Sequence, residues 1–92
     1  MGQLPRTPEA QAFLVAFGLT VRELRLERQL SQQELGERAG LDRRTVNRLE
    51  NATHALSTAH LGALARALGV PPRELMPDDA NPTRRRGRRR RT

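Results

Sequence analysis

Cysteine, tryptophan, tyrosine and lysine are all absent from this chain of 92 residues. Without cysteine there can be neither a disulfide framework nor a thiolate metal site, so any fold must come from packing alone. The only aromatic residues are Phe13 and Phe17, which argues against modules that stack exposed bases of RNA or single-stranded DNA on Phe, Tyr or Trp. No apolar run approaches the ~20 residues of a membrane helix. The segment AFLVAFG, residues 12–18, is as short as the shortest signal-peptide core. It has one arginine upstream and runs into VRELRLER with no cleavage-like site, so a cytoplasmic protein is expected. The missing lysine is explained most cheaply by a G+C-rich coding bias, since all seventeen basic residues are arginine.

The formal charge of +7 means little until it is located. Seven arginines (Arg84, Arg85, Arg86, Arg88, Arg89, Arg90 and Arg91) crowd the C-terminus, and the first 83 residues hold ten arginines against ten acids. The chain therefore reads as one nearly neutral domain with a basic tail. Residues 1–7 are expected to form a flexible N-terminus, 8–77 the domain, and 78–92 a disordered tail, because no apolar residue larger than Ala80 follows Asp78.

Helix signals are clear along the domain. Thr7-Pro8-Glu9 supplies an N-cap hydroxyl, a proline at the first helical position and an early acid. From there Phe13, Phe17, Val21 and Leu24 form one apolar stripe, predicting a helix to about Gln29 with a break or kink at Gly18. Ser31-Gln32-Gln33-Glu34 is a capping box, and Gly40 ends the helix it opens. Asp42 caps a third helix, about Arg43 to Glu50. Ser57-Thr58 opens a fourth along Leu61, Leu64, Ala65 and Leu68, closed by Gly69. Pro71-Pro72 begins one further turn bearing Leu75 and Met76. With no strand pattern, the fold class is all-α.

Residues 32–51 fit two helices crossing at a tight turn. Leu35, Ala39, Leu41, Val46 and Leu49 are apolar at the inward positions, Gly36 is small at the point of approach, and Gly40 admits a positive φ. On a wheel of ~100° per residue, Val46 and Leu49 mark the buried side of the third helix. Arg43, Arg44, Asn47, Arg48 and Asn51 fill the opposite arc, with no acid among them. An ordinary solvated face mixes signs, as Glu34, Glu37 and Arg38 do on the preceding helix. Arginine bonds bidentately to guanine and asparagine to adenine in the major groove of DNA. Arg43, Arg44, Asn47 and Arg48 are accordingly the candidate base readers. Gln32 and Gln33 at the start of the second helix, with Asn51 and Thr53 after the third, are candidate phosphate contacts.

The run LRLERQLSQQELGERAGLDRRTVNRLEN, Leu24 to Asn51, resembles the Cro/C1-type (XRE) helix-turn-helix family of lambda-repressor-like regulators, and the likeness continues through LGALARALGVPPREL. It implies a five-helix domain binding double-stranded operator DNA, usually as a homodimer on a palindromic site. Its base-reading positions fall on Arg43, Arg44, Asn47 and Arg48, and its supporting glutamine on Gln32. It also implies a structural ion pair between Arg25 and Glu50, and the wheel sets Glu50 on the flank toward the core. The family favours alanine where Gly36 stands. The stretch before Phe17 and the arginine tail lie outside the family pattern.

The expected function is a sequence-specific transcriptional regulator, with repression or autoregulation as the default. A restriction-modification controller, an antitoxin and a phage or plasmid repressor all suit the size. The rival readings are an adaptor or antitoxin acting mainly through a protein partner such as a toxin, and a non-specific nucleic-acid binder driven by the tail. Dimer contacts are expected at Val70, Leu75 and Met76, with Phe13 and Leu14 as second choice. His54 and His60 lack partners at metal-ligand spacing, so no metal is expected. Neither a nucleophile–base pair nor a cofactor motif appears, so an enzyme is not expected.

Overall fold

Each α-helix of this protein is opened by a side-chain oxygen that accepts a hydrogen bond from a backbone N–H three residues on. The computed structural model describes residues 7–77. Thr7 caps α1 (Pro8–Glu27), Ser31 caps α2 (Gln32–Ala39), Asp42 caps α3 (Arg43–Glu50) and Ser57 caps α4 (Thr58–Leu68). At Ser31 the box is reciprocal: Glu34 N–H donates to Ser31 Oγ at 2.9 Å and Ser31 N–H donates to Glu34 Oε1 at 2.8 Å. His60 plays the returning part at Ser57, its Nδ1 accepting from Ser57 N–H at 3.4 Å. Such caps satisfy amide groups that a helix start leaves without partners. The last element is a single 3-10 turn, Pro72–Leu75, rather than a fifth α-helix. Two prolines in sequence, Pro71 and Pro72, and Pro77 beyond leave no room for an i to i+4 ladder to propagate. The described residues contain no strand.

Helix ends divide into those marked by glycine and those that are not. Gly40 and Gly69 both adopt φ of 74° and close α2 and α4. By contrast α1 stops at Glu27, two residues short of the expected end, because Gln29 turns left-handed at φ 58°. Ala52 does the same after α3 at φ 61°. The bonds that follow, Leu30 N–H to Arg25 O at 3.1 Å and Thr53 N–H to Arg48 O at 2.9 Å, complete the usual C-terminal closure without its usual residue.

The core gathers Phe17 and Val21 from α1, Leu35 from α2, Val46 and Leu49 from α3, and Leu64, Ala65 and Leu68 from α4. Leu30 and Leu75 seal it. Arg28 pins the end of α1 to the end of α4, its Nε donating to Leu68 O at 2.7 Å.

Gly18 does not break α1, which runs through it without interruption. It is where α1 crosses the C-terminus of α3. A methyl group there would stand 2.5 Å from Glu50 O and 2.6 Å from Leu49 O. Gly36 has a parallel role, since a methyl group on it would meet Leu41 O at 2.5 Å. The turn of the helix-turn-helix thus folds back more tightly than an alanine admits.

Two substitutions separate packing from propensity. Gly62 lies in α4 with open space around it, so Gly62→Ala should raise stability by up to ~1 kcal/mol through helix propensity. Gly18→Ala should lower it by roughly 1–3 kcal/mol, because overpacking against backbone exceeds the same gain. Urea unfolding followed by circular dichroism reads both.

Candidate nucleic-acid interface

Eight residues make α3 too short to persist alone, so its placement depends on what grips it. Val46 and Leu49 are buried at 0% and 2% exposure and anchor one side. Asp42 fixes the start, accepting from Thr45 N–H at 2.7 Å. The end is held by a buried ion pair: Arg25 Nε donates to Glu50 Oε2 at 2.7 Å and Nη2 donates to Oε1 at 3.1 Å, while Nη1 reaches Leu30 O at 2.9 Å. Arg25 and Glu50 are only 8% and 7% exposed. The structure therefore joins the two residues that the family resemblance paired.

The outward side carries what the wheel assigned to it. Arg43, Arg44 and Arg48 are exposed and Asn47 is half-buried beside them. Among the described residues none of these arginines is ion-paired; the other salt bridge, Arg28 with Glu27 at 3.5 Å, lies on α1. Three guanidinium groups without a close ion pair thus project from one short helix, with the Asp42 cap carboxylate acting on Arg44 and Arg48 from its start.

The candidate phosphate contacts do not behave alike. Gln33 and Thr53 are exposed, with Gln33 Nε2 only loosely toward Glu37 at 3.5 Å and Thr53 hydroxyl donating to Arg48 O at 3.4 Å. Gln32 turns inward, donating from Nε2 to Glu50 Oε1 at 3.1 Å. Its Oε1 accepts from Asn47 Nδ2 at 3.3 Å, and Asn47 Oδ1 accepts from Asn51 Nδ2 at 3.2 Å.

Of the five dimer candidates, Leu75 at 0% and Leu14 at 7% exposure are spent within the chain's own interior. Val70 and Met76 are half-buried, and Phe13 lines an open apolar groove with Ala10, Leu14, Ala55 and Leu56. Exposed apolar residues that sequence reasoning passed over, Val15, Leu19 and Leu26, lie along the outer side of α1. Their helical spacing was legible, but the inward stripe of Phe17 and Val21 carried the stronger signal. His54 and His60 pack ring to ring with centroids 5.3 Å apart. Among the described residues no group of acids and histidines could hold a metal ion, and no helix is long and apolar enough to cross a membrane. The arginine run 84–91 and the N-terminal residues before Thr7 lie outside the described residues.

A helix-turn-helix family model matches residues 21–75. This chain belongs to the XRE-type helix-turn-helix family of DNA-binding transcription regulators. Among solved structures it is similar to the restriction-modification controller protein C.AhdI from Aeromonas hydrophila. That match has 43% identity and a TM-score of 0.67, over 68% of this chain and 96% of that one. It is also similar to a hypothetical transcription factor, NHTF, from Neisseria, with 27% identity and a TM-score of 0.69 over 90% and 98% of the two chains. The DNA-binding domain of BldD matches at 26% identity and a TM-score of 0.67, over 73% and 97%. No curated protein sequence matches.

Acid stability follows from the two caps that frame the turn. Hydrogen bonds from Ser31, backbone first and hydroxyl second, hold the Glu34 carboxyl below its ordinary value of 4.5. Bonds from Thr45, side chain first and backbone second, hold Asp42 below 3.8. A carboxylate whose folded value is depressed stabilises the fold above its unfolded value, and that contribution is lost as pH falls through the folded value. Urea midpoints should therefore change little through these groups from pH 7 to 5 and fall below about pH 4.5, the upper of the two unfolded values. Asp42→Asn, which still caps, should flatten part of that acid limb.

The buried pair makes a second prediction. Glu50→Ala strands the Arg25 charge and should cost about 3–5 kcal/mol, whereas the double variant Arg25→Met, Glu50→Leu should recover most of that loss. Thermal melts of the three proteins test it.

Proposed function

We propose that this regulator recognises a specific, palindromic double-stranded DNA operator as a homodimer, with α3 of each subunit in the major groove. What supports it is the unpaired, single-signed arc of Arg43, Arg44 and Arg48 on a helix that α1 and α2 hold outward from a nearly neutral domain. Arginine forks match guanine O6 and N7, and the Asn47 amide matches adenine N6 and N7. Gln33, Asn51 and Thr53, at the ends of α2 and α3, contact the flanking phosphates. Two subunits would set their α3 helices in successive major grooves roughly 34 Å apart.

Among regulators of this family, a restriction-modification controller is favoured. The specific observation is the 43% identity to C.AhdI over 96% of that controller's length. In this role the protein represses or tunes its own operon through its concentration. The arginine run at 84–91 adds sequence-independent attraction to phosphates, which salt weakens.

Selection from a random pool of DNA duplexes, followed by titrations at several salt concentrations, tests this reading. The full chain should enrich one palindromic sequence. Removing residues 84–92 should keep that preference while making the salt dependence shallower, by ~0.9 in log–log slope for each phosphate the tail neutralises. Changing Arg43, Arg44 and Arg48 together to alanine should abolish the preference, at about 1–3 kcal/mol of discrimination for each bidentate pair removed. A triple variant that still selects the same sequence would refute α3 as the reading element.

A further inference from the structure

One acid stands at the entrance to the cationic face. Asp42 directly precedes Arg43 and is exposed, and its Oδ1 accepts from Thr45 N–H at 2.7 Å to open α3. Capping does not require that charge. Asparagine and serine cap a helix about as well as aspartate, and Thr7, Ser31 and Ser57 open the other three helices with hydroxyls. Beside three outward arginines, a carboxylate works against any general attraction to phosphate. Arg44 and Arg48 both act on it through space, so it lies within electrostatic range of their face. The other acid of this segment, Glu50, is buried at the far end of α3. Nor does the cap exhaust Asp42. An ionised carboxylate has about four lone-pair sites, all of them acceptors, and only Thr45 is bonded to it, through its side chain and its backbone.

We propose that Asp42 is a specificity-determining residue of the operator contact, accepting from the N4 amino group of a cytosine in each half-site. This rests on the reading of α3 as the element that enters the major groove, where the first residues of such a helix meet base edges. Each base offers a carboxylate something different there. Cytosine presents an N4 donor, adenine an N6 donor beside its N7 acceptor, and guanine and thymine acceptors alone. A group that only accepts is therefore satisfied by cytosine, partly satisfied by adenine, and repelled by guanine and thymine. Arg43, Arg44 and Arg48 have the opposite preference, because a guanidinium only donates. Acid and arginines together thus divide the bases of a G·C-containing half-site between them. Over a wrong sequence, or over phosphates, the Asp42 charge has no donor to meet. The acid in this way gives up general affinity and gains discrimination against other sites.

The full-length protein, Asp42→Asn and Asp42→Ser are titrated against every single-base-pair change in the selected operator and against unrelated duplex DNA. Both substitutions keep a side-chain oxygen for the cap. Asparagine and serine each donate as well as accept, so neither should reject guanine or thymine. At one pair per half-site the wild-type chain should rank cytosine first, adenine second, and guanine and thymine last. The spread should be about five- to a hundredfold, the usual cost of one mismatched pair. Both variants should flatten that ranking, keep the preferences at the remaining pairs, and bind unrelated DNA at least as tightly as the wild type. Variant profiles that match the wild type at every pair would leave Asp42 a helix cap and overturn the proposal. Uniform tightening with every ranking unchanged would make it a general repeller of phosphate and overturn the proposal too. So would a loss of preference at all pairs together, the mark of an α3 no longer held in place. Should one variant not fold, the other gives the same comparison. The wild-type panel alone overturns the proposal if no pair shows that ranking. Failure of the underlying major-groove reading looks different, since the wild-type chain would then enrich no sequence at all.

Discussion

The crossing of α1 over the last turn of α3 is the constraint on which the rest of the structure depends. Gly18 lets the two backbones come close enough that no side chain fits between them at that point. Arg25, two turns further along α1, then reaches the Glu50 carboxylate. An eight-residue helix has little intrinsic stability, so α3 keeps its direction only because another helix fixes its C-terminal end while the turn at Leu41 and Asp42 fixes its start. Loosening either hold would leave a short cationic peptide with no fixed direction.

A division of polar labour follows from that arrangement. On the inner flank of α3, Glu50 is out of water and finds Arg25 and Gln32, as a buried charge must. On the outer flank three arginines make no close ion pair among the described residues. Half-buried Asn47 lies between the two regimes, bonded inward through Gln32 and open outward. The same short helix thereby has one side that costs free energy to disrupt and another whose groups are held ready for an acceptor outside the protein. Net charge alone conveys none of this, because most of the chain's excess charge belongs to the arginine run at its C-terminus.

Much of this was legible in the sequence because helix punctuation is local. Thr7, Ser31, Asp42 and Ser57 each cap the helix they were expected to cap, and Gly40 and Gly69 close α2 and α4. The arc of Arg43, Arg44, Asn47 and Arg48 needed only the helical repeat. Where glycine was missing the signal failed: Gln29 and Ala52 adopt left-handed backbone without a residue that advertises it, so α1 read two residues too long. Gly18 misled in the other direction. As a helix interior it predicts weakness, yet its function is to be absent sideways, a fact carried by α3 rather than by its neighbours in sequence. The reach of Arg28 to Leu68 O spans forty residues and had no local sign at all.

By itself the sequence determined the all-helical class, the boundaries of α2, α3 and α4, and which side of α3 faces outward, because capping and periodicity are properties of a few consecutive residues. Tertiary structure alone decided which apolar residues are spent inside, so that Leu75 and Leu14 went to the core while Val15, Leu19 and Leu26 stayed outside. It also decided that Gln32 bonds inward to Glu50 instead of standing free at its helix end. The reason is one of distance in the chain. Gln32 and Glu50 are eighteen residues apart and on different helices, and only the packing of α2 against α3 brings an amide donor to a carboxylate whose lone pairs Arg25 does not exhaust.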